Sequence, residues 1–123
     1  MKPQREPRYG PPVGSRMITE ADVDAALSFL RDNAIELGRA KERAKKAERM
    51  LGHIEALLFK EGDGSGEARR MAAKASERYL EAINEDAAAA GALQQMLALR
   101  EAAALTIEVW RSQEASVRQM VKL

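Results

Sequence analysis

The sequence predicts an all-α protein, a long antiparallel helical hairpin that assembles into a coiled-coil-like helical bundle. First, all four prolines precede residue 13, aromatic residues make up only 4% of the chain, and helix-favouring residue types dominate. Second, apolar residues recur at steps of three and four over two long segments, the spacing of one helical face. Third, a glycine-rich segment separates these two segments.

Residues 1–16 cannot continue a helix, because they contain every proline of the chain together with Gly10 and Gly14. Their cations outnumber the single acid Glu6 and are Lys2, Arg5, Arg8 and Arg16. The segment is therefore predicted to be a Pro-rich, basic, flexible arm. An unstructured leader and an arm that docks on a partner both fit this composition.

The first helix is predicted over about residues 19–61. Thr19 and Asp22 have the spacing of a capping box at its start. Its apolar face comprises two sets, Val23, Leu27, Leu30, Ala34 and Leu37, then Ala40, Ala44, Ala47, Leu51, Ile54 and Leu58. The step of three between Leu37 and Ala40 predicts a slip of the apolar face, which would overwind a coiled coil locally.

Residues 62–66 are predicted to form the hairpin turn, and the second helix is predicted over about residues 67–121. The turn has no Gly-Lys-Ser/Thr sequence after it, so a phosphate-binding loop is not indicated. A chain that folds back near Gly64 places residues opposite each other when their numbers sum to about 128. This register puts Gly38 opposite Ala90 and Gly52 opposite Ser76, which predicts a close approach of the helices at these small residues.

The second helix carries a further apolar line at seven-residue spacing, which two helices alone would leave in water. It comprises Ala89, Met96, Ala103, Trp110 and Val117, beside Leu93, Ile107 and Val121. We therefore expect self-association, most simply as a two-fold dimer of hairpins, with Leu93, Met96, Ile107, Trp110, Val117 and Val121 at the interface between copies or with another protein. Trp110 could equally cover the end of the bundle core against Met17 and Ile18.

Residues 39–49 carry a basic run, and residues 77–86 on the opposite helix are acidic. The cations are Arg39, Lys41, Arg43, Lys45, Lys46 and Arg49. Ion pairs between the two segments would fix the antiparallel register. Alternatively the run, with Arg5, Arg8 and Arg16 of the arm, contacts nucleic-acid phosphates, although a net charge of only +1 is low for a dedicated nucleic-acid binder.

Catalytic and cofactor chemistry is not indicated by the residue content. The chain has no cysteine and one histidine, His53, which lacks the companions of a metal site or catalytic triad. No catalytic residue, metal or cofactor is therefore predicted. The sequence has neither an apolar run that could span a membrane nor a signal-peptide core, so a cytoplasmic protein is expected.

Two segments resemble small helical proteins encoded by tailed phages and prophages. They are residues 18–34 (ITEADVDAALSFLRDNA) and residues 105–115 (LTIEVWRSQEA). That group is associated with replication and recombination gene neighbourhoods, and the resemblance implies a phage accessory protein without contributing catalytic residues. Together these observations predict a non-enzymatic oligomeric scaffold or adaptor. The alternative is an accessory of replication or recombination that binds single-stranded DNA.

Overall fold

The computed structural model describes residues 17–122, which form four helices and no strand. The helices are α1 (Glu20–Asp32), α2 (Ala34–Glu61), α3 (Gly66–Lys74) and α4 (Glu77–Lys122). Helices α1 and α2 follow each other along one side of the hairpin, and both pack against α4, while α3 packs mainly on the end of α2. The predicted all-α fold is confirmed, whereas assembly into a bundle stays a prediction.

Helix α1 begins as the sequence predicts. The Asp22 amide donates to Thr19 Oγ1 at 3.2 Å, and the Thr19 amide donates to Asp22 Oδ2 at 2.8 Å. This reciprocal pair satisfies two amides that have no partner within the helix.

The prediction of one unbroken helix over residues 19–61 is wrong at Asn33, which separates α1 from α2. Asn33 has φ −102° and ψ 14°, outside the helical range, although its amide still donates to Phe29 O at 3.2 Å. In a continuous helix the carbonyl of Leu30 would accept from the Ala34 amide. Here that carbonyl accepts from Arg100 Nη1 of α4 at 2.9 Å, so a contact from the opposite helix accompanies the break.

The hairpin turn occupies residues 62–65, where Gly64 adopts φ +95°, a left-handed conformation that favours glycine. Ser65 then caps α3 by accepting from the Ala68 amide at 3.2 Å. Arg69 lies over the Phe59 ring, with its guanidinium carbon 5.8 Å from the ring centre, and so holds α3 against α2.

The second predicted helix is also divided, because residues 75 and 76 interrupt it. Ser76 Oγ accepts from the Arg78 amide at 3.2 Å, which is how a serine caps a new helix start. The ion pair between Arg78 and Glu61, at 3.2 Å, ties this start to the end of α2. Helix α4 then runs without interruption through Gly91 to Lys122.

The two sides of the hairpin meet along one seam with regular heptad spacing. On α1 and α2 the buried and half-buried positions that follow this spacing are Val23, Ala26, Leu30, Asn33, Leu37, Ala40, Ala44, Ala47, Leu51, Ile54 and Leu58. On α4 they are Tyr79, Ala82, Asp86, Ala89, Leu93, Met96, Arg100, Ala103, Ile107 and Trp110. Along both sides of the hairpin, the steps between successive seam residues alternate between three and four. The predicted slip is therefore wrong: Ala26 and Asn33 hold the seam positions that the sequence interpretation assigned to Leu27 and Ala34.

The register of the hairpin agrees with the sum of 128. Arg43 of α2 and Glu85 of α4, whose numbers add to that value, form a salt bridge with Nε 2.9 Å from Oε1. The proposed close approach at glycines is wrong, however. A β-carbon added at Gly38 or Gly52 would meet no atom within 4 Å, because both glycines lie on the exposed side of α2.

Candidate interaction surfaces

Four of the residues predicted to bind a second copy lie instead in the hairpin seam. Leu93, Met96, Ile107 and Trp110 are half-buried and share the face of Ala89 and Ala103, which are 1% and 9% exposed. The sequence interpretation treated this seven-residue line as a spare surface. In the structure this line is the face of α4 that packs against α1 and α2. The sequence could not distinguish the two possibilities, because the heptad seam of a hairpin has the same seven-residue spacing.

Val117 and Val121, the other two predicted interface residues, are exposed by 46% and 81%. They lie in the last part of α4, which continues beyond the level of the start of α1. Here Met17, Val109, Val117 and Met120 help to line a groove of about 480 Å³. We call this region, residues 109–121, the distal end. Its exposed apolar side chains remain candidates for contact with a partner.

A second exposed apolar line runs along α4, and the sequence interpretation missed it. We call it the outer stripe. Its apolar members, all exposed, are Leu80, Ile83, Ala87, Ala90, Leu97 and Ala104, and the exposed polar residues Gln94 and Glu101 interrupt it. Each follows a seam residue by one position, so the stripe is rotated by about 100° around the helix from the seam. The seven-residue spacing of Ile83, Ala90, Leu97 and Ala104 was visible in the sequence, but the seam had to be located before the two lines could be separated.

The basic run of α2 contributes one ion pair to the hairpin. Besides its Nε contact, Arg43 donates through Nη2 to Glu85 Oε2 at 3.2 Å. This hydrogen bonding lowers the pKa of the Glu85 carboxyl and raises the pKa of the Arg43 guanidinium. Both side chains are about half exposed, so water and salt weaken the pair.

The other cations of the run are exposed and form no ion pair within the described part of the chain. They are Arg39, Lys41, Lys45, Lys46 and Arg49. Lys45, Lys46 and Arg49 border a groove of about 480 Å³ on the outer side of α2, together with Glu42 and His53. The predicted ion-pair function thus applies to Arg43, and a positive surface is left on α2.

His53 is exposed, as expected for a surface histidine. Residues 17–122 contain no group of three or more His, Cys, Asp or Glu side chains that could hold a metal ion. No helix in the same range is long and apolar enough to cross a bilayer. The arm cations Arg5, Arg8 and Arg16 lie outside the described residues.

A polar contact that the sequence did not predict joins the two sides of the hairpin. Arg100 Nη1 donates both to Leu30 O and to Asn33 Oδ1. Asn33 is 9% exposed, and its side-chain Nδ2 has no hydrogen-bond partner. The Arg100 cation lies at the C-terminal end of α1, where the helix dipole favours positive charge.

Comparison with known proteins supplies no further guide to this geometry. No protein-family model matches the chain, and no curated protein or solved structure matches it either.

Proposed function

We propose that this chain is a non-enzymatic, self-associating helical scaffold or adaptor that acts through protein–protein contacts. One observation carries the proposal: the hairpin leaves most of its large apolar side chains partly in water. The buried apolar residues of the described chain are Val23 and five alanines. Exposed large apolar side chains run the length of the hairpin, with values from 37% at Leu97 to 81% at Val121. Apolar surface distributed in this way favours association.

The surface favours a scaffold over an isolated domain for a second reason. The outer stripe and the distal end are separate apolar regions of α4. One of them can hold copies of the chain together while the other remains available to a different protein. This division is what an oligomeric adaptor requires. The resemblance of residues 18–34 and 105–115 to phage-encoded helical proteins supports a phage accessory protein working in the host cytoplasm.

Light-scattering mass measured during gel filtration tests the proposal. The expected result is a particle of at least twice the 13.6 kDa chain mass, in equilibrium with smaller species as the protein is diluted. Apolar contacts should make this mass insensitive to salt. A monomer at every concentration would refute self-association. In that case the exposed apolar surface would need another occupant.

The five unpaired cations of the basic run on α2 favour a second candidate, a DNA-associated accessory of phage replication or recombination. If Arg39, Lys41, Lys45, Lys46 and Arg49 each contact a phosphate of single-stranded DNA, affinity should fall by roughly 100-fold between about 50 and 200 mM salt. Fluorescence anisotropy with a short labelled oligonucleotide measures this dependence. The absence of binding at the lower salt concentration would eliminate the candidate.

A further inference from the structure

We infer that residues 12–16 of the arm bind, in an extended conformation, in the groove at the distal end of α4 of the same chain. The described residues begin at Met17, whose side chain helps to line this distal groove, so the arm enters the structure at the groove itself. In the hairpin register Met17 is level with about position 111 of α4. An arm that continues in the direction of α1 therefore follows α4 toward Lys122, along the part of α4 that lies beyond the start of α1.

The distal groove contains a polar atom that needs a hydrogen-bond donor. The side-chain Oε1 of Gln113, which lines the groove together with Met17, is buried, and no residue within 17–122 donates a hydrogen bond to it. A buried acceptor without a donor is destabilising. An extended segment presents backbone N–H groups to its surroundings at regular intervals. Residues 15 and 16 are within two positions of Met17, so their N–H groups pass at the level of Gln113.

The sequence of the arm suits a groove of this composition. In an extended segment alternate side chains point to the same side, so Met17, Ser15 and Val13 face one way and Arg16 faces the other. The first three are uncharged, and they would face a groove lined mainly by apolar and uncharged polar side chains. Arg16 then remains outside the groove, in water. The proline at position 12 favours the extended conformation at this end of the segment.

The lengths of the two segments agree. The four residue steps from Met17 to Val13 span about 13 Å in an extended chain, and nine residues of α4 span about 14 Å. Val13 therefore reaches the level of Met120, which is 73% exposed. Ser15 lies about half-way, at the level of Ser116. Binding of the arm thus removes exposed apolar surface of the distal end from water.

A bound arm would restrict access to the distal end. A partner protein that contacts α4 through the distal groove would first have to displace residues 12–16, which lowers its apparent affinity. Neither self-association nor DNA binding is required for this contact within one chain.

Limited proteolysis with trypsin tests the contact in the full chain. Cleavage after Arg16 requires residues 12–16 to leave the groove, whereas cleavage after Arg8 does not, so the ratio of the two rates reports the contact. Met120→Glu places a charge in the groove and should raise this ratio about tenfold. Val121→Glu is the matched control, because Val121 is exposed but does not line the groove, and it should leave the ratio unchanged. The same ratio in all three proteins would overturn the inference.

Cysteine pairs test which chain supplies the arm, because the native chain contains no cysteine. Ser15→Cys combined with Ser116→Cys should form a disulfide within one chain under mild oxidation, since the bound arm brings the two positions together. The control pair combines Ser15→Cys with Ala115→Cys, because Ala115 is about 100° around α4 from Ser116 and lies outside the groove. We expect the first pair to close several-fold faster than the control pair.

Two results of this experiment would refute the contact. Equal rates for the two cysteine pairs would show that the arm does not bind in the distal groove. Disulfides formed between chains would show that the groove holds the arm of a second copy, which overturns the contact within one chain. Neither result would bear on the light-scattering test of self-association.

Discussion

Replacing Arg100 with methionine should destabilise the hairpin strongly, although the substitution keeps most of the side-chain volume. Arg100 Nη1 donates to Leu30 O at 2.9 Å and also to Asn33 Oδ1. Hydrogen bonds from a charged donor contribute about 1.5–3 kcal/mol each, and removal of the donor leaves both polar atoms of the buried Asn33 side chain without a hydrogen-bond partner. Solvent access to the half-buried site reduces this sum. We expect a loss of about 2–4 kcal/mol in the free energy of unfolding.

The double variant Asn33→Leu with Arg100→Met should recover most of this loss. Both residues occupy heptad seam positions, so the double variant replaces a polar pair with apolar residues that suit the seam. Substituting both partners of a buried polar contact is often neutral or stabilising, whereas removing one partner is costly. Leucine also restores helix propensity at the break between α1 and α2.

Urea unfolding followed by circular dichroism measures these effects, with all proteins at one concentration because association shifts apparent stability. In thermal melts the single Arg100→Met variant should lose about 10–20 °C in Tm. The reasoning is refuted if Arg100→Met unfolds within about 0.5 kcal/mol of the native chain. It is also refuted if the double variant is no more stable than the sum of the single variants predicts.

The remaining predictions concern α2 and its neighbours. The pKa of the Glu85 carboxyl is lower in the folded chain than in the unfolded chain, so the native protein should be more stable than Glu85→Gln at neutral pH. This difference in the free energy of unfolding should disappear as acid protonates the native carboxyl. A difference between the two proteins that is constant with pH would contradict this. Reversing Lys45 and Lys46 to Glu should abolish any binding of single-stranded DNA in the anisotropy assay while the melting curve changes little, and unchanged affinity would exclude this surface. Gly52→Ala should stabilise α2 by about 0.5–1 kcal/mol, because the new methyl group meets no atom within 4 Å; a lower Tm would show that Gly52 has a neighbour in the assembled protein.

Local signals in the sequence determined the helical class, the capped start at Thr19 and the position of the turn. These features depend on residues within a few positions of each other, so no knowledge of the fold was needed. The register could also be calculated, because the turn fixes which residues of two helices with equal rise lie opposite each other. The Arg43–Glu85 salt bridge agrees with that register.

Local sequence signals did not determine the two helix breaks, at Asn33 and at residues 75 and 76. Asn33 has no proline or glycine beside it, and its partner Arg100 is 67 positions away in the sequence. A contact at that separation exists only after the hairpin has closed. The break at residues 75 and 76 had a local sign in Ser76, which caps α4, but a serine inside a helical pattern is too common to predict a break by itself.

The sequence by itself therefore determined that the chain is helical, where it turns and in which register it folds back. Only the tertiary structure decided which of two apolar lines on α4 is the seam and which is exposed. Both lines have seven-residue spacing, and both include polar residues, such as Asp86 and Arg100 in the seam and Gln94 and Glu101 in the outer stripe, so the pattern alone does not say which line is buried. Burial depends on the position of the opposite helix. The structure thereby leaves Leu80, Ile83 and Leu97 exposed.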